Sequence, residues 1–246
     1  EIAMSLSQHR IPAILHMEGL CGAYIPGATS FPSGIGRASG WDPALEEQIG
    51  HIVARQENAL GITQTFAPVL DISRDSRMGR QGETYGEDPT LAAALGTALT
   101  NGIQGVEIEG RRPEAVAKHF LGFHQGEGGI HGSHCEIPER TLREIFAKPF
   151  QAAISEGHLR GIMPCYGSIN GEPVSASHAI LTGLLRDEMG FDGITVSDYC
   201  AIMNIFNVQK VCESFTAAGL RAMSAGMDME LHFQKCFNAE LAEWFA

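Results

Sequence analysis

Short apolar runs alternate with longer stretches whose apolar residues recur every three to four positions. Residues 11–15 form the first run. In 42–60 the residues Leu45, Ile49, Ile52, Val53 and Leu60 share one helical face, with Asp42 placed to cap the helix and Pro43 in its first turn. Residues 62–70 read as a strand that ends at Asp71, and 89–103 as a helix. The run 115–121 reads as a strand containing Lys118 and His119. The clearest helix is 139–156, where Leu142, Ile145, Phe146, Phe150, Ala153 and Ile154 repeat at helical spacing. Gly157 can end it, and Pro149 should kink it by removing one ladder bond. A strand at 161–166, a helix at 178–189, a strand at 192–197, a helix at 208–225 and a short strand at 227–231 complete the pattern.

Strand and helix follow one another in a single order, with no linker or low-complexity segment. Such alternation implies a parallel sheet with right-handed crossovers. Six strand runs are visible where a TIM-type (β/α)8 barrel needs eight, so the expected fold is that barrel, incomplete at the termini. A doubly wound open sheet is the alternative. Against it, Gly19-Leu20-Cys21-Gly22 is a poor phosphate loop after the first strand.

Charged and polar residues fall at the strand ends. Glu18 follows the first run, Asp71 ends the second, and Lys118-His119 lies in the third. Tyr166 ends the fourth and Asp198 the fifth, while Asp228 and Glu230 lie on the last. Polar side chains at every strand end suggest one shared pocket at the barrel mouth. Ile194, Thr195 and Val196 are β-branched, as suits a packed strand, and Asp198 stands at its C-terminal end. That carboxylate either does chemistry or caps the next helix. Tyr199 after it can form a stacking wall for a bound substrate. Lys118 and His119 are bracketed by apolar residues, so the lysine must be paired or lose its charge through desolvation. The loop 71–89 alternates arginines and acids. Most of these charges read as structural ion pairs, with Arg80 as the member facing a ligand.

The chain has 246 residues, 44% hydrophobic and 19% charged, with a formal net charge of -12. No Lys/Arg run stands out, which argues against nucleic acid or an anionic membrane as partner. No apolar run is long enough for a membrane span. The six cysteines form no CxxC pair and read as free thiols in a reducing compartment, with no metal site. Residues 1–6 lack a basic region and an apolar core, so no signal peptide is visible and a cytoplasmic or periplasmic location is favoured. The missing initiator Met suggests a fragment.

Several segments together carry a family pattern. They are Gly27-Ala28-Thr29-Ser30-Phe31-Pro32, Arg74-Asp75-Ser76-Arg77-Met78-Gly79-Arg80 with Glu83-Thr84-Tyr85-Gly86-Glu87-Asp88-Pro89, Lys118-His119-Phe120, Asn170-Gly171-Glu172-Pro173, Gly190-Phe191-Asp192-Gly193 and Val196-Ser197-Asp198-Tyr199. In these the chain resembles the N-terminal barrel domain of glycoside hydrolase family 3, the family of many β-glucosidases and β-xylosidases, over almost its whole length. The resemblance implies one such domain over 1–246, with a C-terminal α/β domain expected beyond it. It implies a retaining exo-β-glycosidase acting on β-D-glucosyl residues of an oligosaccharide or other β-glycoside, without a cofactor. In that reading Asp198 is the nucleophile and Glu18, Arg80, Lys118 and His119 grip the sugar hydroxyls. Tyr166 lies beside the nucleophile, and Asp228 and Glu230 are structural.

A retaining mechanism also needs a general acid/base, with the two carboxyl groups roughly 5–5.5 Å apart. In two-domain relatives that residue sits in the C-terminal domain, so a further domain or partner segment is the expected source. The N-acetylglucosaminidases of the family use a loop histidine after Asp-Ser; here the loop reads Gly132-Ser133-His134, without the aspartate. Glu127 is a further candidate. Met78 and Cys21, which replace a frequent tryptophan and a frequent histidine, should alter packing more than chemistry. β-Xylosidase, β-N-acetylglucosaminidase and a non-catalytic sugar-binding barrel remain as alternatives. An aldolase using Lys118 as a Schiff-base amine is a more distant one.

Overall fold

A computed structural model describes residues 11–108 and 110–245. Residues 1–6, read above as lacking a leader, lie outside them. Five parallel strands pair in sequence order: β1 (His16–Met17), β2 (Gln64–Thr65), β3 (Glu114–Phe120), β4 (Gly161–Pro164) and β5 (Ile194–Thr195). The sixth run contributes a single parallel bridge, Val196 to Met229. Strand order equal to chain order, with every pair parallel, is the (β/α) winding of a TIM-type barrel and excludes the order reversal of a doubly wound sheet.

Two apolar layers lie on opposite faces of this sheet. Phe66, Val116, Met163, Val196 and Leu231, one from each of five successive strand positions, pack together as an inner cluster. The larger cluster fills the space between the strands and the surrounding helices. An inner layer drawn from consecutive strands requires the sheet to curl on itself. The curl is also visible at its edges, where the His16 ring on β1 has its centroid 6.3 Å from that of the Tyr199 ring after β5.

The helices follow local signals closely. Asp42 caps Pro43–Asn58 by accepting from the Leu45 N–H, and Asp88 caps Pro89–Gln104 by accepting from Thr90 and Leu91. The expected break near Pro149 is present. Glu139–Thr141 runs into a π-helical turn, Leu142–Phe146, and Lys148–Ser155 starts afresh with Pro149 in its first turn.

Two expectations need correction. The first strand is at 16–17, after the apolar run 11–15. The helix expected over 208–225 is two helices, Ala201–Asn207 and Phe215–Ala225. Ser214 caps the second by accepting from the Ala217 N–H, so 208–214 is a connection. No helix of the described residues is long and apolar enough to cross a membrane.

Candidate active site

The C-terminal ends of the strands deliver the polar residues to one place. β3 pairs regularly with β4 up to Lys118, and its register then shifts before Phe120. A local irregularity of this kind re-aims side chains, so neighbouring Lys118 and His119 both find polar partners. Lys118 is buried and its Nζ donates to Glu18 Oε2. His119 is buried, with its backbone N–H 3.1 Å and its Nδ1 2.7 Å from Asp71 Oδ2. Its Nε2 lies 3.1 Å from Arg80 Nη2.

A guanidinium only donates, so Nε2 accepts from Arg80 and the ring proton resides on Nδ1, directed at Asp71. Burial, then the charges of Lys118 and Arg80, push the His119 pKa well below its usual value despite the opposing pull of Asp198. His119 is therefore a neutral imidazole of fixed tautomer. Burial raises Asp71 to about 6, opposed by His124 and by the His119 backbone N–H.

Asp198 is buried, and its two oxygens differ. Oδ1 accepts from the Tyr166 hydroxyl at 2.7 Å and from the Tyr199 N–H at 2.7 Å. Oδ2 has no hydrogen-bond partner among the described residues and lies 3.6 Å from His119 Nε2. One oxygen is thus tethered while the other is left available to an incoming atom. Burial and the adjacent Asp198 charge drive the Tyr166 hydroxyl far above its usual pKa, so it stays protonated and donates. Tyr199 is partly exposed at the rim, its pKa raised by burial and by Glu18 and Asp198 together, which puts both carboxylates in its field.

Arg80 connects the two sides. Its Nε and Nη2 reach Glu83 at 2.7 and 2.8 Å, and its guanidinium sits 5.3 Å from the Phe123 ring centroid. Burial works against the Glu83 carboxylate, but the bonded Arg80, and Lys118 beyond it, hold it below its usual range. Arg80 Nη1 also lies 3.4 Å from His131 Nε2, and His131 packs against Phe123 and Tyr166. The other arginines of this loop are spent elsewhere: Arg77 pairs with Asp75 on the surface and Arg74 lies over Phe146.

His131 and Glu83 are members of this cluster that the sequence reading does not single out, and Asp71, placed there among the strand-end residues of a shared pocket, is given no individual role. The acids repeat the charge alternation of the loop and could have been found there; His131 carries no sequence signal. His134 instead forms a short strand with Cys135 beside Ser168–Ile169, and Glu127 is exposed. No contact with Asp198 involves either. Asp228 accepts from the Thr195 N–H and hydroxyl and from Arg186, and Glu230 accepts from the Cys236 and Phe237 N–H groups. Met78 is buried in the outer core, and Cys21 lies against Tyr24, whose hydroxyl is pushed up to about 12 by burial and by that thiol. All six cysteines are free, and no cluster of three or more metal-ligating side chains occurs among the described residues.

The sequence profile described as "Glycosyl hydrolase family 3 N terminal domain" matches residues 1–243. A β-xylosidase of Formosa agariphila is 36% identical over 243 residues, covering 95% of this chain and 33% of that protein. A lysosomal β-glucosidase of Dictyostelium discoideum is 34% identical over 237 residues, covering 94% of this chain and 29% of that protein. Among solved structures, a β-glucosidase of Erythrobacter marinus superimposes with a TM-score of 0.91 at 33% identity, covering 95% of this chain and 31% of its own. The chain spans about a third of the length of the relatives it matches.

Proposed function

The chain belongs to glycosyl hydrolase family 3, and from that premise we propose that it is the nucleophile-bearing barrel of a retaining exo-β-glycosidase that releases terminal β-D-glucosyl residues. The single observation that carries the reading is the asymmetry of Asp198, with Oδ1 held by two donors and Oδ2 unpartnered beside His119.

Asp198 Oδ2 attacks the anomeric carbon, a glycosyl–Asp198 ester forms, and the glycosidic C–O bond breaks. Water then cleaves the ester and regenerates the carboxylate. Lys118, Arg80, Glu18 and His119 hold the sugar hydroxyls, and their bonds strengthen as the ring flattens toward the oxocarbenium-like state. Tyr166 keeps Asp198 oriented through both steps.

The leaving oxygen needs a proton from a separate acid. His131 is close but ill suited, because its Nε2 accepts from Arg80, and burial followed by the Arg80 charge lowers its pKa. Tyr166 holds its proton too tightly. His134 and Glu127 make no hydrogen bond or ion pair with the cluster among the described residues. We therefore assign the acid/base to a further domain or segment of the longer protein. A β-xylosidase is the second reading, supported by relatives of that name.

The test is mechanism-based labelling of the full-length protein with a 2-fluoro glucoside bearing an activated leaving group. A stable adduct mapped by mass spectrometry to Asp198 supports the reading, and absence of an adduct overturns it. Hydrolysis of paired aryl β-glucosides and β-xylosides separates the two specificities.

A further inference from the structure

Beside Tyr199 lie two rings that the proposed reaction does not use. The segment carrying them is laced to the nucleophile loop by three bonds. Ser197 N–H donates to the Met229 carbonyl at 2.9 Å, Leu231 N–H to Ser197 Oγ at 2.8 Å, and Cys200 N–H to the Leu231 carbonyl at 3.0 Å. His232 and Phe233 follow at once. The His232 ring meets Tyr199 edge-on, with centroids 5.4 Å apart, and the Phe233 ring lies 3.8 Å beyond it. Phe233 remains 57% exposed. His232 Nδ1 is 3.9 Å from the Cys200 thiol, and its Nε2 makes no hydrogen bond among the described residues.

Tyr199, His232 and Phe233 thus form a row of rings leading outward from Asp198. The row begins at the residue whose backbone N–H holds Asp198 Oδ1. Exposed aromatic faces held on a fixed backbone bind the C–H face of a sugar or the face of an aryl ring, and a free imidazole nitrogen adds a polar contact for a hydroxyl.

We propose that His232 and Phe233 form a second ring-binding position beyond Tyr199, which receives the outer ring of a two-ring leaving group. This inference rests on the glycosidase reading above and names the class of aglycone that the enzyme favours: extended and cyclic rather than short and acyclic. A further saccharide ring and an aryl ring share the required flat, C–H-rich face.

The experiment uses the full-length protein with one glycone and a graded leaving group: a methyl glycoside, a trisaccharide and a biphenyl glycoside. The quantity read is the ratio of kcat/KM for each two-ring substrate to that for the methyl glycoside. In Phe233→Ala that ratio falls about three- to tenfold for the trisaccharide, the biphenyl glycoside or both, and Phe233→Tyr restores it. Which substrate responds identifies the ring that the position takes. A ratio unmoved for both substrates, in protein that still forms the 2-fluoro adduct at Asp198, overturns this inference alone. Wild-type protein that forms no adduct overturns the glycosidase reading and this inference with it.

Discussion

Asp71 Oδ2 lies 2.7 Å from His119 Nδ1 and 3.1 Å from the His119 backbone N–H, so one carboxylate oxygen fixes both the position and the tautomer of the imidazole. The consequence is felt at the opposite nitrogen. Because Nδ1 carries the proton, Nε2 is free to accept from Arg80, and Arg80 is thereby held beside the nucleophile.

Asp71→Asn keeps the shape but replaces a charge-assisted bond by a neutral one. We expect kcat/KM to fall about 10- to 100-fold, from a loss of about 1.5–3 kcal/mol for a hydrogen bond to a charged group. Asp71 has its pKa raised to about 6, so in wild type the bond weakens as pH falls through that value. The variant should lack that part of the acid limb. A kcat/KM profile from pH 4.5 to 8 checks both features, and a profile identical to wild type removes the tautomer argument.

Arg80→Lys tests the fork rather than the charge. A lysine has one nitrogen where Arg80 places three against Glu83, His119 and His131. KM should rise about tenfold or more, with a smaller change in kcat. Steady-state kinetics on an aryl glucoside decide it.

Glu57 gives a prediction about stability. It is fully buried under β2, and its Oε2 accepts from the Thr65 hydroxyl at 2.5 Å, while Oε1 is unpartnered. Burial raises its pKa from 4.5 to about 7, opposed by Thr65 and reinforced by Glu18. A folded-state pKa above the unfolded one means that the native state binds more protons between these values. The contribution is fully present below about pH 4.5 and is lost as pH rises through 7. Glu57→Gln should therefore stabilise the protein at pH 8, by up to about 3 kcal/mol, and make no comparable difference at pH 4. Thermal melts of both proteins at the two pH values measure this.

Local chemistry made much of the fold legible. Asp42-Pro43 and Asp88-Pro89 announce two helix starts because cap and first turn are adjacent in sequence. Lys118-His119 and Asp198 could be located because strand ends are where a parallel barrel exposes its polar groups. The break at Ser214 was hidden, since the apolar spacing of 208–225 suits one helix as well as two. Histidine choice was hidden as well. Which of His131 and His134 approaches Arg80 depends on a loop in which Gly128, Gly129 and Gly132 take positive φ, and no periodicity encodes that path. The pairing of Asp71 with His119 joins residues 48 apart in sequence, a relation that the parallel pairing of two neighbouring strands creates.

The loop that follows Glu18 depends on a buried ion cluster remote from the chemistry. Arg37 Nε and Nη2 reach Glu46 at 2.9–3.1 Å, and the Tyr85 hydroxyl donates to the same carboxylate at 2.5 Å. Arg37 Nη1 donates to the Leu20 and Pro32 carbonyls, which ties the segment after β1 to the first helices. All three side chains are nearly or fully buried, so removing one partner strands an uncompensated charge. Glu46→Ala should cost about 3–5 kcal/mol, read as a lower denaturant midpoint. The double variant Arg37→Met, Glu46→Leu removes both charges at once and should recover much of that loss. If the single and double variants are equally destabilised, packing rather than charge pairing holds this corner together, and Glu18 owes its position to something else.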